Sequence, residues 1–338
     1  MATNKAAFLT SPKSHPFTIL PTPLTTPGPS QILIQNHAIA INPIDFKLQS
    51  RAIYPLTYPA ILGSDVAGIV HSIGSSVTRF APGDRVLGLT NGFASGKDAE
   101  KAFQEYTVLE ADFTCGIPDR VGFEEAVVLP LGVATAAAGL FDPEFLGLQL
   151  PTQPAQVPNG KTILVWGGAG CVGGNAVQLC AAAGYEVIAT CSAKNFTYVK
   201  NLGASQVFDY NNASVVADLV SAFKGKASAG VYDAIGGAAW APAIEFAQKT
   251  GTKIMATITP GFPDEHEGLE MKRVFAPAIL GNGVGKAIFE DFLPKALGEG
   301  SYIVAPETIV AGRGLEILQV AVDLLGKGVS AKKVVVLL

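Results

Sequence analysis

Hydrophobic and polar positions follow two different rhythms along the chain. Up to about residue 125, short apolar runs are broken by Gly and Pro: QILIQNHAIAI (31–41), AGIVHSIG (67–74) and DRVLGLT (84–90). β-Branched residues crowd these runs and turn residues separate them closely, which predicts an antiparallel, barrel-like β unit. EEAVVLPLGVATAAAGLF (124–141) is rich in Ala and Leu and predicts a helix interrupted early by Pro130. Residues 142–160 hold four prolines and little periodicity, and read as a loop or insertion.

Beyond this loop, apolar strands alternate with amphipathic helices. KTILVWG (161–167), YEVIATCS (185–192), SQVFDY (205–210), AGVYDAIGG (229–237) and TKIMATIT (252–259) read as strands, the fourth running into a turn. NAVQLCAAAG (175–184), NFTYVKNLGA (195–204), VVADLVSAFKG (215–225) and AAWAPAIEFAQ (238–248) read as the helices between them. Such alternation predicts a doubly wound parallel sheet. Two further helical stretches follow at 288–300 and 312–328, and the chain closes on the strand KKVVVLL (332–338). An apolar terminus is buried by returning to a core, so this strand is expected to rejoin the first unit. The expected fold class is therefore α/β: a β-rich unit (1–128 with 288–338) and a Rossmann-type parallel-sheet unit (129–287).

Composition narrows the function classes. A length of 338 residues suits two domains at roughly 100–200 residues each. With 49% hydrophobic and 15% charged residues, the chain is globular. Its net charge of -4 contains no block of like charge, which argues against nucleic acid or an anionic membrane as partner. The N-terminal MATNKAAFLTSPKSHPFTI lacks an apolar core, so a cytoplasmic location is expected. Ile163–Cys191 is apolar enough to raise the question of a membrane span. Its six glycines, with Asn175, Gln178 and Glu186, argue against one, because lipid would leave a Gly-rich turn unpaired. Cys115, Cys171, Cys180 and Cys191 form no CxxC and read as small core residues in a reducing compartment.

The segment ILVWGGAGCVG (163–173) carries G-x-G-x-x-G at Gly168, Gly170 and Gly173, with Ala169, Cys171 and Val172 between them. Following a strand and opening a helix, this is the context of a dinucleotide-phosphate loop. The first glycine is expected to permit the tight turn, the second to admit a pyrophosphate, and the third to let helix and strand pack closely. NAD enzymes place an Asp or Glu at the end of the second strand. Here that strand ends Cys191-Ser192-Ala193-Lys194. A hydroxyl and a cation suit a 2′-phosphate, so NADPH is expected over NADH. Tyr198 and Tyr210 are expected to flank the adenosine end, the alternative for both being packing of an amphipathic ring.

LGSDVAGIVHSIGSSVTRFAPGDRVLG (62–88) closely resembles the GroES-like catalytic domain of the medium-chain dehydrogenase/reductase superfamily. The resemblance rests on Gly63, Asp65, Gly68, Val70, Gly74, Val77, Phe80, Gly83, Asp84, Arg85, Val86 and Gly88. It continues through NPIDFK (42–47), LPLGVATAA (129–137), the glycine motif, VYDAIGG (231–237) and KKVVVLL, and so covers nearly the whole chain. It is most like fungal trans-acting enoyl reductases and their toxin-cluster relatives, with quinone oxidoreductases slightly more distant. Zinc alcohol dehydrogenases of the superfamily carry a Cys shortly before the equivalent of Lys47 and a Gly-His-Glu at the equivalent of Gly63. Here those positions read Asn42, Ser64 and Asp65. The cysteine lobe that holds a structural zinc is also absent, so no metal is expected. His15, His37, His71 and His266 show no ligand spacing and read as surface or packing residues.

The resemblance implies a zinc-independent oxidoreductase that reduces an activated C=C bond in a small molecule of secondary metabolism. The alternatives are a quinone or carbonyl reductase of the same fold, and an NADPH-binding protein with little turnover. It implies Lys47 and Thr135 beside nicotinamide and substrate, where both offer donors, although a hydroxyl within a helix also bonds back to its own backbone. Asn42 and Asp45 read as shaping the Asn-Pro turn. A carrier protein presenting the substrate would want a basic patch, and no basic run is seen. Monomer and homodimer both remain open: the KIMATIT strand either pairs across a dimer or is covered by the segment 260–287.

Overall fold

The computed structural model describes residues 3–263 and 268–338. The chain divides into two compact units, Met1–Leu131 with Val304–Leu338, and Gly132–Ile303. His266 lies outside the described residues.

The first unit is built on the apolar runs read from the sequence. Gln31–Ala40 is its central strand, pairing antiparallel with Asp65–Ile73, Tyr106–Glu110 and the closing strand Lys332–Leu337. Arg85–Leu89 and Thr114–Gly116 extend the sheet on one side and Glu307–Arg313 on the other, giving seven strands. Val334, Val335 and Val336 are fully buried, which is why the terminus returns here. A smaller antiparallel sheet joins Thr18–Pro23, Thr3–Leu9 and Ala60–Ile61.

The strand Glu307–Arg313 is a departure from the sequence reading. Residues 312–314, expected to open a helix, instead carry positive φ at Gly312 (152°) and Gly314 (96°). Those glycines end the strand, and the helix Leu318–Gly326 begins only after a single 3-10 turn. Pro130 does interrupt the Ala-rich segment. The helices are Phe123–Ala126 and Pro130–Phe141, with the proline at the first helical position, where its missing N–H does no harm. The combined run Phe123–Phe141 is long and apolar enough to cross a membrane, and 78% of its apolar window is buried inside the protein. That burial is what a core helix shows.

The second unit holds a six-stranded, wholly parallel sheet in the order Gln206–Asp209, Glu186–Cys191, Lys161–Trp166, Ala227–Asp233, Ile254–Thr257, Glu270–Arg273. In chain order that is 3-2-1-4-5-6, the doubly wound arrangement whose strand order reverses beside the first strand. The sixth strand, EMKR, has too little apolar character to be read from the sequence. It covers Ile254–Thr257, so the following segment supplies the edge, and that edge is short and charged.

The boundary after the parallel sheet also differs from the expected one. Residues 288–303 belong to the second unit, and the return occurs at Val304 rather than 288. Ile288, Phe289, Phe292 and Leu293 are buried there. The Tyr302 hydroxyl donates to Asn175 Oδ1 (2.6 Å), and the Ile303 N–H donates to Gln178 Oε1 (2.8 Å). Both partners lie on the helix Cys171–Ala182, which ties this segment to the glycine motif's own helix.

Candidate functional site

The glycine loop joins Lys161–Trp166 to the helix Cys171–Ala182. The left-handed residue of its turn is Gly167 (φ 92°), one position before the motif's first glycine. This corrects the expected assignment of the turn to Gly168. A Cβ at Gly167 would also meet Ile235 Cγ1 at 2.4 Å. Gly168 serves packing instead: its Cβ would touch Val199 and Ala189 at 3.0 and 3.1 Å. Gly173 has the tightest surroundings of the three motif positions, because a Cβ there would lie 2.1 Å from the Gly167 carbonyl oxygen. Gly170 differs from both. It is exposed and extended at the helix N-cap, and a Cβ there would meet nothing nearer than 3.8 Å.

The helical ladder begins with the Gly174 N–H donating to the Gly170 carbonyl (2.8 Å). The first-turn N–H groups of Cys171, Val172 and Gly173 precede it, and they align with the positive end of the helix dipole. Ala169 and Gly170, unlike Gly168, are not buried. An open cradle of backbone next to a helix N-terminus, with no side chain from its capping residue, fits the pyrophosphate of a dinucleotide.

Around this loop the other expected cofactor residues take different positions. Ser192 directly follows the second strand and caps the 3-10 turn Ala193–Asn195, with the Asn195 side-chain amide donating to its Oγ (3.1 Å). Lys194 is exposed on that turn. Tyr210 is 45% exposed just after the third strand. Tyr198 instead turns inward: its hydroxyl is buried without a hydrogen-bond partner, and burial foremost, with Cys171 nearby, holds its pKa above the usual phenol range. A Cβ at Gly174 would approach that hydroxyl to 3.5 Å, so it faces the dinucleotide helix. Cys171 is half-buried, while Cys115, Cys180 and Cys191 are buried and unpaired; burial pushes the Cys115 thiol up to about 12.

Thr135 lies in the Pro130–Phe141 helix and is 9% exposed; its carbonyl accepts from the buried Tyr232 hydroxyl at 2.9 Å. Lys47 is exposed on the helix Pro43–Arg51. Of the histidines, His37 stacks on Phe123 and His71 lies edge-on to Tyr106, while exposed His15 faces Asp323.

At the start of the Pro43–Arg51 helix lies a charge cluster that the sequence did not suggest. Asn42 caps the helix, its N–H donating to Asp45 Oδ2 (2.8 Å). Asp65, fully buried, accepts from Asn42 Nδ2 (2.8 Å) and pairs with the Lys333 ammonium (2.8 Å). Lys333 also donates to Asn42 Oδ1 (2.6 Å), and the Leu131 N–H donates to Asp65 Oδ1 (2.6 Å). Burial foremost, with the neighbouring Asp65 charge adding to it, raises the Asp45 carboxyl to about 7, against the lowering effect of the hydrogen bond from the Asn42 N–H. Lys333, 291 residues from Asn42, could not have been placed here by spacing. Asn42 and Asp65 stand at two of the positions where the zinc alcohol dehydrogenases of the resembled superfamily carry ligands. An amide and a carboxylate already neutralised by an ammonium do not make a zinc donor set. Among the described residues no group of three His, Cys, Asp or Glu is arranged to hold a metal ion.

Two family models match the chain: the alcohol dehydrogenase GroES-like domain over residues 28–130, and the zinc-binding dehydrogenase domain over residues 171–292. The zinc-binding alcohol dehydrogenase domain-containing protein cipB of Emericella nidulans is 48% identical over 98% of each chain. The trans-enoyl reductase himH of Aspergillus japonicus is 35% identical, covering 98% of this chain and 97% of its own. Among solved structures, Escherichia coli quinone oxidoreductase complexed with NADPH shares the fold over both full lengths, with a TM-score of 0.74 at 22% identity. With both family domains present in order and full-length relatives among fungal dehydrogenases, this chain is a member of the medium-chain dehydrogenase/reductase superfamily of oxidoreductases.

Proposed function

We propose that this oxidoreductase is a zinc-independent, NADPH-dependent reductase of an activated C=C bond in a small molecule. The observation that carries this reading is the Asn42–Asp65–Lys333 cluster, which puts a buried ammonium against two of the positions where zinc alcohol dehydrogenases of the superfamily carry ligands. Without a Lewis acid, an isolated carbonyl or alcohol is a poor substrate. An alkene conjugated to a carbonyl needs none, because its own carbonyl accepts the developing charge as an enolate. The full-length resemblance to a trans-enoyl reductase supports the same substrate class.

NADPH, when bound, supplies the hydride. The chain's part is orientation and charge stabilisation. The first turn at Gly170–Gly173, whose capping residue has no side chain, would hold the pyrophosphate, and Ser192 with Lys194 the 2′-phosphate. Exposed Tyr210 is available to the adenosine, whereas Tyr198 packs against the helix that holds the phosphates. Lys47 and Thr135 are the proposed donors toward substrate and nicotinamide. The enzyme is proposed to be cytoplasmic and to act in secondary metabolism.

The test is loss of NADPH absorbance across enoyl thioesters, enones, quinones and simple ketones, with NADH and a chelator alongside. Turnover of activated alkenes, undiminished by chelator, is expected. Preference for quinones or ketones would replace the substrate assignment, loss of activity to chelator would overturn zinc independence, and tight NADPH binding without turnover would favour a binding role. For the cofactor, Ser192→Ala with Lys194→Ala is expected to raise the KM for NADPH about tenfold more than that for NADH. Equal changes would sink the 2′-phosphate assignment.

A further inference from the structure

Lys333 and Asp65 are both almost wholly out of water, with side chains 5% and 0% exposed. A buried ion pair is a poor way to gain stability, since the desolvation of two charges offsets most of their attraction. What this pair has, and an apolar pair would lack, is direction. Lys333 Nζ reaches Asp65 Oδ2 at 2.8 Å and Asn42 Oδ1 at 2.6 Å, and Asn42 Nδ2 reaches the same Asp65 oxygen at 2.8 Å. The three groups close a triangle. The amide oxygen must face the ammonium and the amide nitrogen the carboxylate, so the Asn42 side chain has one orientation.

Asn42 is also the N-cap of the helix Pro43–Arg51, locked by its own N–H to Asp45 Oδ2 at 2.8 Å. Lys47 stands at the middle of those nine residues. Gln49 anchors the far end of the helix, its amide donating to the Ser14 carbonyl (3.1 Å) and Gln319 Oε1 (2.7 Å), so Lys47 stands between two fixed points and a shift or tilt at the capped end changes where it stands.

We infer that Lys333 and Asp65 are positioning residues for the reaction: through Asn42 they set where the Lys47 ammonium stands. The inference rests on the proposed role of Lys47. It gives Asn42 a task beyond shaping a turn, and it gives the last strand of the chain a task beyond covering a core. Misplacement of a reacting group by about 1 Å lowers turnover about a hundredfold, while the proposed main anchors of the dinucleotide, the glycine loop and Ser192 with Lys194, are untouched, so its affinity changes little.

The experiment compares full-length wild type with Asn42→Ala, Lys333→Met, Lys333→Arg and Lys47→Met. For each, kcat and KM are measured with a trans-2-enoyl thioester and NADPH, together with Tm and the Kd for NADPH by fluorescence titration. Asn42→Ala is the sharpest variant, because it leaves the ion pair in place and removes only its link to the helix. Its kcat is expected to fall about a hundredfold with the NADPH Kd within about twofold of wild type. Lys333→Arg, which keeps charge and donors, is expected to recover most of the kcat lost in Lys333→Met. Wild-type kcat in Asn42→Ala, with or without a lower Tm, overturns the inference and leaves the cluster a stability element. If Lys333→Met does not fold, Asn42→Ala and Lys333→Arg decide alone. Unchanged turnover in Lys47→Met overturns the role of Lys47 instead. The positioning claim is then read from the carbon-13 resonance of reductively methylated Lys47: a shift or broadening in Asn42→Ala supports it, and an unchanged resonance overturns it.

Discussion

Two helix starts in this protein solve the same problem in opposite ways. Each leaves its first-turn N–H groups without helical partners. At Asn42 the capping residue itself is anchored by side chains: its N–H donates to the Asp45 carboxyl, and its amide joins the Asp65 carboxylate and the Lys333 ammonium, all buried. At Gly170 the capping residue has no side chain and is exposed. A closed start fixes the position of its helix, and an open one leaves donors and dipole available to an anionic ligand. Mutation should therefore damage the two ends differently.

The largest effect is expected at the closed start. Lys333→Met leaves the buried Asp65 carboxylate without its counter-charge and should lower stability by about 3–5 kcal/mol, measured by denaturant unfolding. A loss no larger than that of a surface lysine would show that the cluster is not closed in solution. Next comes Gly173→Ala, whose Cβ would meet the Gly167 carbonyl oxygen at 2.1 Å. Overpacking of this kind should cost about 1–3 kcal/mol and loosen the loop. Gly170→Ala has room for its Cβ, so Tm should hardly move while the NADPH Kd rises about tenfold, the added methyl standing where phosphate would approach. Equal effects at Gly170 and Gly173 would break the distinction between an admitting and a packing glycine.

The smallest effect is one of slope. The Asp45 carboxyl titrates at about 7 in the folded protein, against 3.8 ordinarily, chiefly because it is buried. Between those values the folded state holds a proton that the unfolded state has released, so this site favours folding most below about pH 4 and loses that contribution as the pH rises to about 7. Asp45→Asn should remove this part of the fall in Tm across that window. An unaltered slope would mean that Asp45 is ionised throughout.

Much of the second unit was legible because its signals are local. A strand, a glycine loop and a helix of fixed spacing announce themselves within thirty residues, and the alternation that follows implies a parallel sheet. The strand at 270–273 was not legible, since EMKR carries no apolar pattern and pairs only because an exposed edge lies beside it. Glu307–Arg313 was hidden by an apolar helix that begins a few residues later. Tyr198 illustrates a different gap: its position after the second strand suggested the adenosine, yet its hydroxyl faces the dinucleotide helix.

By itself the sequence determined the two rhythms, the glycine loop, the missing carboxylate after the second strand and the residues that replace a zinc set. All of these are short-range patterns, written in side-chain size, polarity and backbone freedom. Only the tertiary structure decided that Gly167 rather than Gly168 makes the turn, that the chain returns at Val304, and that Lys333 joins Asp65 and Asn42. The physical reason is the same in each case. A φ angle, a packing boundary and a buried ion pair are set by what the rest of the chain brings alongside, and residues as far apart as 42 and 333 leave no mark of that meeting in their own neighbourhoods.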